Sequence, residues 1–181
     1  GADFNNIQAA INYCDAIGGE WVILIYPRGE AGAAVYDEGD ITPNGGAIIT
    51  LKGMGESRVR IAPTVAPVAA VIVSSGTLNI EDIVIIAPTA GFPPLRVTGG
   101  TCTLTRCILT GVGLGDGVQQ IGGVLRLDSC RIAGDIDLST GACSLVIEGG
   151  EYTGTFDIGV GAFNHQIIIR HSDWNGQNWT L

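Results

Sequence analysis

The chain has 181 residues, of which 28 are glycine, 46% are hydrophobic and only 15% are charged. Its formal net charge is −9 and its 9 basic residues are scattered, which argues against nucleic acid as a partner, because phosphate neutralisation needs clusters of Lys and Arg. No run of 18 or more apolar residues occurs, so no membrane span is expected, and the length favours a single domain over residues 1–181.

Residues 1–20 predict a short α-helix that caps one end of the fold. Asp3 is placed to be its N-cap, and Gly18–Gly19 ends the pattern. The apolar positions recur at helical spacing, namely Ile7, Ala10, Ile11 and Cys14. A strand follows from Trp21 to Pro27, and residues 21–69 are expected to form irregular first coils. A helix lying across the first coil would cover its free strand edges.

Residues 70–181 repeat one strand pattern. Five eight-residue segments align without gaps, with apolar first, third and last positions: 78–85, 102–109, 125–132, 145–152 and 167–174. Alternation of period two indicates strands, and a repeat of this length indicates stacked units that cannot bury a core alone. A shorter alternating piece and a glycine-rich corner precede each segment. One coil therefore reads as short strand, corner, longer strand and variable loop, which is a solenoid.

Four stretches near the N-terminus carry a family resemblance. They are Asp3–Ile11, the strand ending at Pro27, Val35–Glu38 and Ile48–Gly55. Their order resembles the opening of right-handed parallel β-helix proteins of the pectin lyase-like family, in which a helix caps the barrel. The resemblance implies an all-β, right-handed, single-stranded parallel β-helix with a short N-terminal capping α-helix. Residues 30–35 form an insertion relative to that pattern.

Enzymes of this family carry motifs that the chain lacks. The Gln-Asp-Thr stretch of pectin methylesterases does not occur, and Phe156–Gly159 only faintly matches their Asp-Phe-Ile-Phe-Gly stretch. The Asn-Thr-Asp, Asp-Asp and Gly-His-Gly motifs of polygalacturonases are also missing, as is the calcium-binding acidic cluster beside an Arg of pectate lyases. We therefore expect no enzymatic activity of these types, no cofactor and no metal.

Asp137 and Asp157 are the weak candidates for catalysis. They occupy equivalent outward positions one coil apart, about 5 Å at the backbone. This spacing matches the carboxylate separation of retaining glycoside hydrolases, and like charges would raise one pKa. The competing interpretation is that outward positions are simply polar.

Two outward columns run along the longer strands. The first holds Glu81, Thr105, Asp128, Glu148 and Arg170, and the second holds Val84, Ile108, Arg131, Glu151 and Asp173. Cross-strand ion pairs are expected for Glu148 with Arg170 and for Arg131 with Glu151. The outward apolar pair Val84 and Ile108 predicts a contact with a loop or, as favoured here, with another subunit.

The remaining chemistry-bearing residues predict no further site. His171 has no second ligand at metal-binding spacing, and Gly113–Gly117 precedes no helix that could bind phosphate. Cys107 and Cys130 share one inward position on adjacent coils, so a buried cysteine ladder is expected, as packed thiols or as a disulfide. Thiol-rich usage favours assembly in a reducing cytoplasm.

The C-terminus predicts an apolar end that needs a cover. The strand at 167–174 is followed by only seven residues and by no amphipathic helix. Trp174, Trp179 and Leu181 are therefore predicted to tuck under the stack or to contact another chain.

Small acidic β-helices without enzyme motifs resemble components of phage and virus particles, such as tail-spike, fibre or capsid-decorating proteins. The resemblance implies a non-catalytic structural or surface module that forms homo-oligomers, with a trimer favoured, alongside other particle proteins. Its expected location is a virion or an extracellular surface structure, and surface glycans are possible ligands. The alternatives are a polysaccharide-active lyase or glycoside hydrolase, or a glycan-binding module without turnover.

Overall fold

The computed structural model describes residues 3–28, 35–55, 58–65, 68–113, 115–138, 141–159 and 164–174, together with the backbone of 179–180. Over these residues the chain forms one α-helix, α1 (Ile7–Ile17), and three parallel sheets that wind into an all-β solenoid.

Each sheet collects one strand from each of six coils, and the seven-stranded sheet also contains β1 from the first coil. The seven-stranded sheet contains β1 (Glu20–Ile25), β2 (Ile48–Gly53), β5 (Thr77–Glu81), β8 (Thr101–Thr105), β11 (Val124–Asp128), β14 (Ser144–Glu148) and β17 (Gln166–Arg170). The second sheet contains β3 (Val59–Ile61), β6 (Ile83–Ile86), β9 (Ile108–Thr110), β12 (Arg131–Ala133), β15 (Glu151–Thr153) and β18 (Asp173–Trp174). The third contains β4 (Val71–Val73), β7 (Leu95–Val97), β10 (Asp116–Gln120), β13 (Asp135–Asp137), β16 (Phe156–Asp157) and β19 (Trp179–Thr180).

The predicted solenoid is confirmed, together with its internal register. Leu104 pairs with Leu127 and Leu127 with Ile147 as neighbours on successive coils. The inward column is fully buried through the middle of the stack: Leu51, Ile80, Leu104, Leu127 and Ile147 are all 0% exposed. Burial of a side chain of this size contributes roughly 1.5–3 kcal/mol, so these columns are the main stabilising element.

Each eight-residue segment, predicted as one strand, forms two strands. A residue with positive φ separates them at the fifth position: Asp82, Arg106, Ser129, Gly149 and His171, with φ between 52° and 67°. A single left-handed residue turns the chain sharply, after which alternation restarts with the opposite parity. The coil is therefore three-sided, and we call this series of turns the left-handed corner.

The glycine corner between the third and the seven-stranded sheet was predicted correctly at three coils. Gly76, Gly100 and Gly123 have φ between 65° and 71°. A Cβ at Gly123 would lie 2.6 Å from the carbonyl oxygen of Gly100, so the adjacent coil excludes any side chain there.

Helix α1 covers the first coil as predicted, burying Ile7, Ala10, Ile11 and Cys14. Its N-cap is Asn6, whose Oδ1 accepts from Ala9 N at 2.6 Å, so the expectation for Asp3 is wrong. The Glu38 carboxylate also accepts from Ile7 N and Gln8 N, because an anion at a helix N-terminus satisfies amides that have no intrahelical partner. A carboxylate of the first coil thus binds the N-terminus of α1.

At the opposite end, aromatic rings fill the last described coils. Trp174 stacks on Tyr152 at 4.7 Å between ring centroids and meets Phe156 edge to face at 5.7 Å. This places Trp174 in the end of the core, as its inward position predicted. The backbone of Trp179 pairs with Phe156 in the third sheet. The predicted cover by the Trp179 side chain and by Leu181 lies outside the described residues.

Candidate functional site

Four aspartates form a cluster on the outer face of the third sheet, which we call the acidic ladder: Asp116, Asp135, Asp137 and Asp157. Strand register pairs Asp116 with Asp135 and Asp137 with Asp157 on adjacent coils. The predicted Asp137/Asp157 pair therefore exists as neighbours, with strands about 4.8 Å apart. Sequence reasoning missed the other two members.

Neighbouring donors hold two of these carboxylates. Gln119 Nε2 donates to Asp137 Oδ2 at 3.1 Å, and the backbone N–H of Thr155 donates to Asp135 Oδ1 at 2.6 Å. Burial, followed by the negative charges of Asp137, Asp135 and Asp157, raises the pKa of Asp116. The ladder thus combines one carboxyl that binds a proton more readily with others held as hydrogen-bond acceptors.

No group of three or more His, Cys, Asp or Glu side chains suited to a metal ion occurs among the described residues. His171 occupies the left-handed corner beside Gly149, away from the acidic ladder in sequence and sheet. Asp116 begins a strand, so Gly113–Gly117 does not lead into a helix.

A second charged group surrounds the left-handed corner of the early coils. Arg106 binds Asp82 through two bonds of 2.8 Å and lies 3.9 Å from Glu81, which Lys52 also contacts at 3.3 Å. The hydrogen bond from Arg106, partly opposed by burial, lowers the pKa of Asp82. These pairs neutralise one another, and exposed pairs of this kind contribute at most about 1 kcal/mol.

The expected outward ion pairs are half correct. Arg131 contacts Glu151 at 3.3 Å as predicted. Glu148, however, pairs with Arg126 at 3.0 Å rather than with Arg170, and no ion pair joins Glu148 to Arg170 in the described part of the chain. Arg126 lies diagonally across on the adjacent strand, and a long side chain reaches such a neighbour easily.

Val84 and Ile108 lie directly above one another on β6 and β9, as the register predicted. Both point outward and are half-buried. Exposed Arg60 precedes them in this column and exposed Arg131 follows them. The two apolar residues thus form a short stripe between cationic side chains.

The cysteine ladder is confirmed as buried free thiols. All five cysteines of the chain are buried and unbridged. The Cys107 thiol donates to Ile80 O at 3.3 Å, and the Cys130 thiol donates to Leu104 O at 3.5 Å. The neighbouring Cys130 thiol and burial raise the pKa of Cys107, which favours its protonated thiol form.

Comparisons with protein-family models, with curated proteins and with solved structures gave no match. The only helix in the described ranges, α1, has 11 residues and is not long and apolar enough to cross a membrane. The fold therefore defines the class, a parallel β-solenoid with a helical cap, and function must be argued from the surfaces of this chain.

Proposed function

We propose that the protein is a non-catalytic structural module of a larger assembly, a rigid rod that associates laterally with copies of itself. The observation that carries this proposal is the Val84/Ile108 stripe, two apolar side chains on consecutive coils of an otherwise charged column. Apolar residues aligned on an outer sheet face are typical of subunit contacts.

The stack behind the stripe suits a supporting role. Inward strand residues of the middle coils are at most 1% exposed, and each coil is bonded to the next along three sheets. Such a body resists local opening, because each unit is held by two neighbours. A trimeric particle component, such as a virion fibre, tail-spike or decoration protein, is the form we favour, by the resemblance of small acidic β-helices to such proteins.

Light scattering coupled to gel filtration tests this proposal. We expect a native mass that is a multiple of the 18.7 kDa chain, three being favoured. The double variant Val84→Lys/Ile108→Lys should shift the protein to the single-chain mass. Val124→Lys is the matched control, because Val124 is also outward and 40% exposed but lies on the seven-stranded sheet. A wild-type monomer at high micromolar concentration would overturn the proposal.

The acidic ladder favours a second candidate, a polysaccharide-cleaving enzyme. The pKa of Asp116 is raised beside Asp135, Asp137 and Asp157, and a proton donor close to an ionised carboxylate is the pairing that glycoside hydrolysis uses. Incubation with acidic and neutral polysaccharides, followed by a reducing-end assay, tests this candidate. Activity lost in both Asp116→Asn and Asp137→Asn, with unchanged melting, would replace the structural proposal.

A further inference from the structure

A groove of about 620 Å³ lies between α1 and the first strand, β1. Six consecutive residues, Trp21 to Tyr26, line it. Successive side chains of a strand point to opposite faces, so an unbroken run can line one groove only where the groove follows the edge of that strand. The floor of this groove is therefore the backbone edge of β1, and its opposite wall is formed by Ala10 and Tyr13 of α1 together with Phe4, which precedes the helix.

The hydrogen-bonding groups on this edge are directed away from the sheet. β1 is the terminal strand of the seven-stranded sheet in the described structure. Gly19 O accepts from Ile48 N, and Ile25 O accepts from Met54 N, so odd-numbered residues face β2. The N–H and C=O groups of Val22 and Leu24 consequently face the groove, and no described residue bonds to them.

The side chains beside this edge are apolar and accessible. Val22 is 59% exposed, Leu24 48% and Tyr26 60%, while Tyr13 across the groove is 46% exposed. Natural edge strands are commonly protected by Lys, Pro, a bulge or a covering segment. β1 itself contains no Lys, Pro or bulge, and its one charged residue is Glu20 at the start. Helix α1 covers the first coil but forms only the other wall of this groove, and it makes no hydrogen bond to Val22 or Leu24.

We propose that this groove binds an extended strand of a partner protein, which extends the seven-stranded sheet by main-chain hydrogen bonds to Val22 and Leu24. The bound strand runs antiparallel to β1, because antiparallel pairs are slightly more stable per residue. Charge complementarity favours a basic residue at its C-terminal end, opposite Glu20, and an acidic residue at its N-terminal end, near Arg28. Arg28 is exposed and cationic, and it also donates to Asn5 O and lies over the Tyr36 ring. The inference rests on the proposed assembly role, since it assigns the end at which another component attaches.

A single strand fits this groove better than a whole second copy does. Helix α1 is joined to β1 through only Gly18 and Gly19. Two copies paired through their β1 edges would place both α1 helices on the same face of the joined sheet. Each helix would then compete for the space above the other copy's β1. Hydrogen bonds from Gln8 Nε2 to Thr42 O and from Asn44 N to Asp15 Oδ2 fix α1 in this position.

The probe is the peptide acetyl-Glu-Val-Thr-Val-Thr-Val-Thr-Val-Lys-amide. Its binding to the protein is measured by the fluorescence anisotropy of a labelled copy of the peptide. Its valines would face Trp21, Ile23 and Ile25 beneath α1, and its threonine amides would face Val22, Leu24 and Tyr26. We expect saturable binding. N-methyl groups on the three threonines remove those donors and should weaken binding by about tenfold or more. Equal binding of both peptides would overturn the proposal, as would no binding of either.

Leu24→Pro is the sharpest variant. It removes the N–H that faces the groove and leaves the bonds between β1 and β2 intact, since proline is tolerated at the outer side of an edge strand. We expect about tenfold weaker binding or more, with an unchanged melting temperature. Leu24→Ala, which keeps the N–H, should change binding by only about threefold. Equal weakening by both variants would overturn the role of the main chain.

Two further results test direction and occupant. A peptide with Lys and Glu exchanged should bind more weakly, and tighter binding would overturn the antiparallel arrangement. A native oligomer that dissociates in Leu24→Pro would show that a second copy occupies the groove and would also overturn the proposal. If the oligomer dissociates only with the Val84 and Ile108 substitutions, the proposed structural role is supported whether or not the peptide binds.

Discussion

The middle coils and the two ends of the stack carry the same kinds of inward residue with different degrees of burial. Leu104, Leu127 and Ile147 are 0% exposed, whereas Ile23 at one end and Ile169 at the other are only half-buried in the same column. The difference comes from the neighbours, because an inward residue of the middle is covered by a coil on each side. In this fold, burial is a property of position in the stack rather than of residue type.

Truncation of one inward residue in each region gives the largest expected effect. Leu127→Ala should lower the free energy of unfolding by about 3–4 kcal/mol, because it opens a cavity between two coils. Ile169→Ala should lower it by about half as much, since its site is partly open already. Urea denaturation measures both, and Thr103→Ala, an outward change on β8, is the control. Equal losses at both sites would break the comparison between middle and end.

Alanine at glycine corners should give the next largest effect. Gly123→Ala in the middle meets the Gly100 carbonyl oxygen and a positive φ, so we expect a loss of more than about 2 kcal/mol. Gly19→Ala at the capped end has a similar φ of 88° but nothing within 4 Å, so only the backbone strain of about 1 kcal/mol remains. Thermal unfolding followed by circular dichroism compares the two. A Gly19→Ala loss as large as that of Gly123→Ala would contradict the role of the adjacent coil.

Thiol accessibility should separate the two regions by rate. Cys14 lies beneath α1, where detachment of one helix exposes it, whereas Cys102 is 0% exposed between two coils and requires wider unfolding. Burial raises the pKa of both thiols, so neither reacts in the closed state. We expect N-ethylmaleimide to modify Cys14 at least about tenfold faster, as seen by peptide mass mapping. Cys14→Ser should remove the fast phase, and a single phase for all five thiols would contradict the difference.

Charged side chains should give the smallest effect, even in the middle of the stack. Arg106→Gln breaks the pair with Asp82, and because solvent screens both exposed partners the loss of stability should be smaller than for any of the substitutions above. The pKa of Asp82 is lowered in the folded state, so the stabilisation is present above the ordinary Asp pKa of about 3.9. It is lost as the pH falls through the lower folded pKa. Wild type and Arg106→Gln should therefore converge in stability under acidic conditions, and a difference that persists in acid would exclude this ion pair as the cause.

The inward columns could be predicted from sequence because their cause is local. Alternation identifies the inward residues within a strand, and the repeat length brings like positions together on successive coils. The extra corner was visible only as a change of parity: Leu78 and Ile80 are two apart, but the next inward residue, Ile83, follows after three. Non-glycine residues at the positive φ of Asp82 and Arg106 obscured this turn.

The surfaces were harder to predict because their partners are distant in sequence. Glu38 reaches the N-terminus of α1 from 31 residues away, so no local capping signal reveals it. Asp116 joins the acidic ladder through an irregular register between β10 and β13, which strand alternation does not show. The open edge of β1 follows from its terminal place in the sheet, and its own sequence resembles any buried strand.

The left-handed corner has a practical consequence. Five coils place Asp82, Arg106, Ser129, Gly149 and His171 at one geometrically equivalent turn, so chemically unlike side chains are accepted there. Adjacent strands lie about 4.8 Å apart, so these corner residues are regularly spaced along the outside of the protein. Spectroscopic labels attached at two of these positions would be separated by a known multiple of the strand spacing. The solenoid would therefore serve as a calibration standard for distance measurements.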